Sequence, residues 1–397
     1  MLARFRGRNA VRGWGCSLAV AAVLSASVMP NVDSIAGVSA LLARNVQTVV
    51  QGPPPLDFHE YGANDAWLRT YTAFHLHNGY YVDDLGSPSG FATAWDQFQV
   101  LNMLDIASTT DHGAGLDPAA ALTQAVDASN AYWDASPAGY PAGYDATLHF
   151  GLTAPDRFVD DNLWMAQLLL HQHQRTGNET YAARAQQIVD LFLSQRDSAD
   201  GAGYWKVQFT NESNHDQCVV SNATAIPSLI DLYLAGHGDV SYVTTAEEVF
   251  AWVQRLRDPV TGLYFDKIRG NGEIDTTIYT YVQAEVLESM IQLSRVNGAR
   301  YPRADAVAFA RRSMDYFAQH GGYGISKFDI IYLRSLMHLA SLAHDDALTT
   351  SVRHAISLAK AAVPRSPTAL SDAAPAAGIV ALSSLPFDAW STLASSG

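Results

Sequence analysis

The chain is poor in cysteine, with 2 in 397 residues, and poor in charge, with 16% Asp, Glu, Lys and Arg. Two cysteines cannot make the disulfide framework of a small secreted module. Cys16 lies in an N-terminal stretch expected to be removed, so Cys218 is expected to be a buried structural thiol with no partner. Basic residues are also scarce, 25 against 39 acidic ones, for a formal net charge of -14. No basic stripe is present, which argues against a nucleic-acid partner. Strand-like alternation is nearly missing from end to end. So is any apolar run long enough for a typical membrane span of about 20 residues, and no stable membrane insertion is expected.

What is present points to one large helical domain. Hydrophobic residues make up 48% of the chain, enough for an ample core. The first forty residues combine Arg4, Arg6, Arg8 and Arg12 with an apolar run of about a dozen residues, Ser17 to Met29, and the small residues Val38-Ser39-Ala40. This pattern predicts a signal peptide over 1–40 and a secreted or cell-envelope protein of bacterial type, followed by an exposed segment over 41–60 and a single domain over 61–390. Apolar periodicity predicts twelve helices, at 64–77, 91–107, 117–134, 159–176, 179–195, 219–235, 242–256, 278–296, 302–319, 327–344, 346–362 and 372–385. The segments 159–176, 219–235 and 327–344 are apolar on most sides, whereas 179–195 and 302–319 carry charge on one face. Mostly apolar helices belong inside and amphipathic ones outside. The expected fold is therefore all-α, a closed (α/α)6 barrel of six helical hairpins.

In such a ring the inner helices start at one end, and their first turns should line a cleft. One start stands out, Arg157-Phe-Val-Asp160-Asp161-Asn-Leu-Trp164. A single Asp suffices to cap a helix, contributing about 0.5–2 kcal/mol. A second adds like-charge repulsion without an obvious structural duty. Two neighbouring carboxylates suit glycoside hydrolysis, in which one group protonates a leaving oxygen while the other supports an oxocarbenium-like centre. Trp95, Asp96, Asn222, Tyr281, Gln283, Asp329 and Tyr332 lie at or near the other starts, with Trp205 and Tyr264 in the loops before them. Aromatic rings among carboxylates and amides match sugars, whose apolar faces are rimmed by hydroxyls. Each has an ordinary structural reading beside the functional one: Asp as a helix cap, Trp164 as core, and Tyr281 as packing at a helix entrance. His75 and His77, and His171 and His173, are two apart on predicted helices and do not face each other, so no metal or cofactor is expected.

The segment Asp160-Asp161-Asn-Leu-Trp164 resembles the Asp-Asp-x-x-Trp signature of glycoside hydrolase family 76, the endo-α-1,6-mannanases. Val220-Ser-Asn222, Gly262-Leu-Tyr-Phe-Asp266, Thr280-Tyr-Val-Gln283 and Phe328-Asp-Ile-Ile-Tyr-Leu-Arg334 resemble further family segments in the required order. The resemblance spans roughly residues 60–390. It implies an (α/α)6 barrel, a retaining mechanism with Asp160 as nucleophile and Asp161 as acid and base, and a linear α-1,6-mannan or lipomannan-type substrate. It also adds Arg334 to the candidate substrate-binding residues, and a monomer is expected. Departures fall at Met165, Gln217, Val282, Ala284 and Asp329, read here as cleft-side positions that put the substrate in more doubt than the chemistry. Other readings stay open. One is an inverting glycosidase with Asp96, Asp266 or Asp329 as a distant partner. Another is a glycosidase acting on a different envelope or plant glycan, and a third is a glycan-binding protein without activity. A lyase would need cations in the cleft, and a terpene cyclase an Asp-Asp-x-x-Asp pattern, where this chain has Trp164.

Overall fold

In the computed structural model, the described residues are 56–60, 62–86, 90–109, 116–135, 141–148, 156–197, 199–207 and 215–385. The leader expected over 1–40 lies outside them.

Among the described residues there are twelve α-helices: α1 (Ala63–Phe74), α2 (Ala94–Ala107), α3 (Pro118–Ser129), α4 (Val159–Thr176), α5 (Glu179–Ser194), α6 (Val219–Leu234), α7 (Val240–Val253), α8 (Thr280–Val296), α9 (Arg303–His320), α10 (Ser326–Ala343), α11 (Asp346–Ala362) and α12 (Leu370–Leu382). The expected segments match them, but four end early. The helix expected over 64–77 ends at Phe74, and His75–His77, read as helical, is a short strand paired with Tyr80–Tyr81; the one over 372–385 ends at Leu382. The helix expected over 117–134 ends at Ser129 and the one over 242–256 at Val253, each continuing as a single 3-10 turn. Local sequence explains several ends. Thr93 and Asp96 form a capping box at α2, Asp117 caps α3 with Pro118 in its first turn, and Gly177 closes α4 in the left-handed region at φ +67°.

The even-numbered helices pack side by side, α2 on α4, α4 on α6, and onward to α12, which returns to α2 and closes the ring. Each carries an outer helix: α3 on α2, α5 on α4, α7 on α6, α9 on α8, α11 on α10. The sixth pair is made by the two ends of the helical chain, with α1 packed on α12. This is an (α/α)6 barrel. The inner helices α6 and α12 are buried almost throughout, whereas α5, α9 and α11 bury only one stripe. None of the twelve is long and apolar enough to cross a membrane. The expectation of an exposed segment over 41–60 fails at its described end. Leu56 and Phe58 are buried, and the Phe58 amide donates to the Arg365 carbonyl at 3.2 Å, because two apolar side chains find a place against the chain near α11.

At the end where the inner helices begin, short antiparallel pairs tie one connection to the next. Arg157–Phe158, just before α4, pairs with Lys206–Val207, and Gln217–Cys218, just before α6, pairs with Lys267–Ile268. A recurring amide sits below them. Asn162, Asn222 and Gln283 are each the fourth residue of an inner helix and essentially inaccessible. Each accepts from one loop amide and donates to the same loop residue's carbonyl: Asn162 with Tyr144 (2.6 and 2.9 Å), Asn222 with Gly203 (2.7 and 3.0 Å), and Gln283 with Tyr264 (2.9 and 2.9 Å). Backbone groups buried in a loop need partners, and these three side chains supply them from the helix below.

Candidate active site

Asp160 and Asp161 occupy the first turn of α4, at the rim where the inner helices start. Asp160 is buried, and the Trp205 indole N–H donates to both of its carboxylate oxygens, at 3.1 and 3.2 Å. Asp161 is half-buried. Burial pushes Asp160 up to about 7, with the Asp266 charge adding to it, while the Trp205 hydrogen bond and the backbone amides at the helix start act in the ionised form's favour. Asp161 is also held well above the usual carboxylate range, by burial and then by the charges of Asp160 and Asp96. The two environments therefore differ in kind: one carboxylate collects hydrogen-bond donors, and the other faces more carboxylates. Among the described residues no cation lies within ion-pair distance of either. The donors around Asp160 favour its ionised form, and the carboxylates around Asp161 favour its protonated form.

Beneath the pair lies a layer of rings. Trp164 is one turn below, with its ring centroid 4.9 Å from Trp95, 5.3 Å from Phe98 and 6.3 Å from Tyr281. Tyr281 stacks on Phe328 at 4.2 Å, and Tyr279 meets both edge-on or tilted. The Trp164 indole N–H is bonded to Glu285 at 2.8 Å, which fixes the ring. To one side, Asp266 receives the Tyr281 hydroxyl at 3.4 Å, and burial pushes its carboxyl up to about 6. Lys267 stands 5.2 Å over the Trp205 ring and pairs with Asp216 at 2.9 Å.

Of the residues expected at the cleft, Trp95, Asp96, Trp205 and Tyr281 lie around the carboxylate pair, whereas Trp164, expected to touch substrate, is buried beneath Trp95 and Phe98 because its indole N–H is spent on Glu285. Asp96 is also engaged, accepting the Thr93 hydroxyl at 2.9 Å in its capping box. Six others do not reach the mouth. Asn222 and Gln283 are spent on the loop clamps described above. Tyr264 is buried on the outer side, its hydroxyl donating to Gln254 at 2.9 Å and its ring against Phe309. Tyr332 is fully buried against Ser313 and Phe317. Asp329 closes the start of α10, accepting from the Thr280 hydroxyl and the amides of Gly324 and Ile325 at 2.9, 2.8 and 3.1 Å. Arg334 lies two turns below, bonded to Asn102 and to Asp105 at 2.9 Å. The positions read as cleft-side departures are corrected as well. Met165, Val282, Ala284 and Asp329 are all buried in helix packing, and Gln217 donates to Asp200 at 3.1 Å. Their divergence is a matter of core packing more than of substrate contact. Cys218 is buried, as expected of a structural thiol.

The sequence reading did not single out Phe98 or Glu285, and it gave Asp266 only the part of a distant partner in an inverting site. Glu285 had one cue, a carboxylate between the apolar residues Val282, Ala284, Val286 and Leu287 of an inner helix. Phe98 had none, because any inner helix carries such residues.

The sequence matches the model of glycosyl hydrolase family 76 over residues 141–342. No curated protein sequence matches it. Among solved structures, a family 76 alpha-mannanase of Bacteroides thetaiotaomicron superposes with a TM-score of 0.69 at 17% identity, covering 87% of this chain and 97% of that one. A mannosidase of family 76 from Bacteroides thetaiotaomicron VPI-5482 gives a TM-score of 0.67 at 14% identity, over 80% and 96% of the two chains. An alpha-1,6-mannanase of Salegentibacter sp. HEL1_6, in an inactive variant with two consecutive aspartates changed to asparagine and alpha-1,6-mannotriose bound, gives 0.63 at 17% identity, over 81% and 97%. At these identities the likeness is one of fold.

Proposed function

The chain belongs to glycosyl hydrolase family 76 and is a glycoside hydrolase, and from that premise we propose that it cleaves α-1,6-mannosidic bonds in a linear mannan or lipomannan-type backbone with retention of configuration. The observation that carries the mechanism is the asymmetry of the pair: Trp205 donates to Asp160, while carboxylates face Asp161. Asp160 attacks the anomeric carbon as Asp161 gives its proton to the departing glycosidic oxygen. The resulting glycosyl ester removes the negative charge of Asp160 and the proton affinity of Asp161 falls; water then attacks the anomeric carbon, giving its proton to Asp161 as the ester bond breaks and the Asp160 carboxylate is released. The half-buried rings of Trp95 and Tyr281 give the sugars an apolar floor, with Trp164 packed beneath them. The substrate reading is supported by the mannanases of like fold, one of which loses activity when two adjacent aspartates are replaced. Secretion is supported by the Arg-rich start, the apolar run and Val38-Ser39-Ala40. The chain is taken to act outside the cytoplasm, as a monomer.

The test is incubation of residues 41–397 with unbranched α-1,6-mannan, following reducing ends and product sizes. Accumulating short oligosaccharides, lost in Asp160→Asn, are expected, and the first-formed anomer by NMR should be α. An inert protein, or products undiminished in Asp160→Asn, overturns the proposal, and a β anomer moves it to inversion.

A further inference from the structure

Far from the carboxylates, at the other end of α4, one group of three metal-competent side chains comes together among the described residues: His173, Glu179 and His237, with ligand atoms all within 4.8 Å of one another. Three separate elements supply them. His173 is in the last turn of α4, Glu179 is the first residue of α5, and His237 is in the turn between α6 and α7. For this reason spacing along the chain did not show them; His173 was read beside His171, which it does not face. We propose that these three residues bind a late first-row divalent cation, with Zn²⁺ the best fit, and that the ion staples the α4–α5 hairpin to the α6–α7 turn.

Several observations support a site over a chance meeting. Nδ1 of His173 is 3.2 Å from the Asn178 carbonyl, which can only accept; Nδ1 therefore carries the proton, and Nε2 presents a free lone pair. A histidine ligand whose other nitrogen donates to a carbonyl is the usual arrangement at metal centres, because it fixes both tautomer and ring orientation. Nε2 of His237 already lies 3.2 Å from the Glu179 carboxylate, and the two imidazoles meet edge to face at 5.4 Å. Their backbones are held. The Asn178 side chain caps α5 through the Thr180 amide at 3.1 Å, and the His237 amide closes the end of α6 onto the Leu232 carbonyl at 2.9 Å, after Gly236 at φ +79°. Two imidazoles and one carboxylate form an open N,N,O set suited to Zn²⁺, with water completing the tetrahedron. Tetrahedral ligands at the usual bond lengths stand roughly 3.3 Å apart. Rotation of the Glu179 and His237 side chains, exposed by 72% and 25%, closes the remaining gap without moving a helix. His173 is thirteen residues from Asp160 along one helix, about 20 Å away. The ion is therefore a structural staple and takes no part in glycoside hydrolysis.

The test uses the full chain without a histidine tag, titrated with Zn²⁺ against a chromophoric chelator and melted with and without the ion. One equivalent should bind and raise the melting temperature. His173→Ala and His237→Ala should each weaken binding at least tenfold and remove the rise, while His320→Ala, elsewhere on the surface, changes neither. Glu179→Gln leaves a solvent-exposed amide that no packing depends on, so it guards against a folding defect, and it should also weaken binding. Glycoside hydrolysis by the folded variants stays at the parent rate and is indifferent to EDTA. Absence of saturable binding at one equivalent, or binding that survives in both histidine variants, overturns the proposal.

Discussion

The two ends of the barrel handle buried carboxylates in opposite ways. At the mouth, Asp160, Asp161 and Asp266 are pushed up by burial and by neighbouring carboxylates, and no cation pairs with the first two among the described residues. Toward the other end, below the ring layer, a cavity of about 150 Å³ is lined by Asn102, His171, Glu288, Arg295, Arg334 and His338, among others. There three acids have cationic partners, while Glu285, which also lines the cavity, is held by the uncharged Trp164 and Gln167 side chains at 2.8 and 3.3 Å. Asp105 is fully buried, which alone would push it up, yet His171, Arg334 and Arg175 at 3.1, 2.9 and 3.4 Å hold it well below the usual carboxylate range. Glu288 meets His338 at 2.9 Å and Asp231 meets Arg295 at 2.7 Å. Burial alone therefore does not mark a carboxylate for chemistry. What sets Asp105, Glu288 and Asp231 apart from the carboxylates at the mouth is counter-charge, and its lack around Asp160 and Asp161 is what the proposed proton transfer would need.

The sharpest way to break the comparison is to neutralise an acid at each end. Asp160→Asn and Asp161→Asn should each cut turnover on mannan by about a thousandfold or more, with a melting temperature equal to or above the parent's, because a desolvated charge is removed. Asp105→Asn should do the reverse. It leaves Arg334 and Arg175 without their anion and lowers unfolding free energy by about 3 kcal/mol in urea titration, while the folded fraction keeps the parent kcat. The loop clamps give an intermediate case: Asn222→Ala strands the buried amide and carbonyl of Gly203 and should cost about 2–3 kcal/mol. Trp205→Phe removes the donor that favours ionised Asp160. The acid limb of the kcat/KM profile should move to higher pH, with about a tenfold loss at the optimum.

pH sharpens the same contrast with a smaller effect. Burial pushes Glu285 up to about 7, so its folded state binds a proton more tightly than the unfolded chain does. Stability from this group is full below the unfolded value of about 4.3 and is lost as pH rises through about 7. Asp105 has the opposite sign. Its stabilisation is full above about 3.9 and is lost as pH falls toward the lower folded value. Melting curves of Glu285→Gln should therefore lose part of the parent's decline between pH 5 and 8, and those of Asp105→Asn part of the decline in acid. Unchanged slopes would contradict the assignment of these groups.

The fold was largely legible because inner and outer helices differ in the width of their apolar stripe, a property that survives in any sequence obeying the packing. α4, α6 and α10 read as inner and α5 and α9 as outer, and all five are so placed. The carboxylate pair was legible because a second Asp has no capping duty. The amides were not. Asn222 and Gln283 sit at inner-helix starts, where an amide could equally face a sugar or a loop backbone, and only the partner residue nineteen positions earlier decides. Tyr264 and Tyr332 failed for a related reason, since a ring near a helix start can turn outward into the space between layers. Arg334 is two turns past the start of α10, a depth that motif order along the chain does not convey.

The central claim is that Asp160 is the nucleophile and Asp161 carries the proton, and azide rescue with an aryl α-1,6-mannobioside tests it most directly. Asp161→Ala with azide should recover turnover and release the α-glycosyl azide, because the ester on Asp160 still forms and azide opens it without base help. Asp160→Ala should give the β-azide, by direct displacement. The converse pattern, an α-azide from the Asp160 variant and a β-azide from the Asp161 variant, would contradict the account.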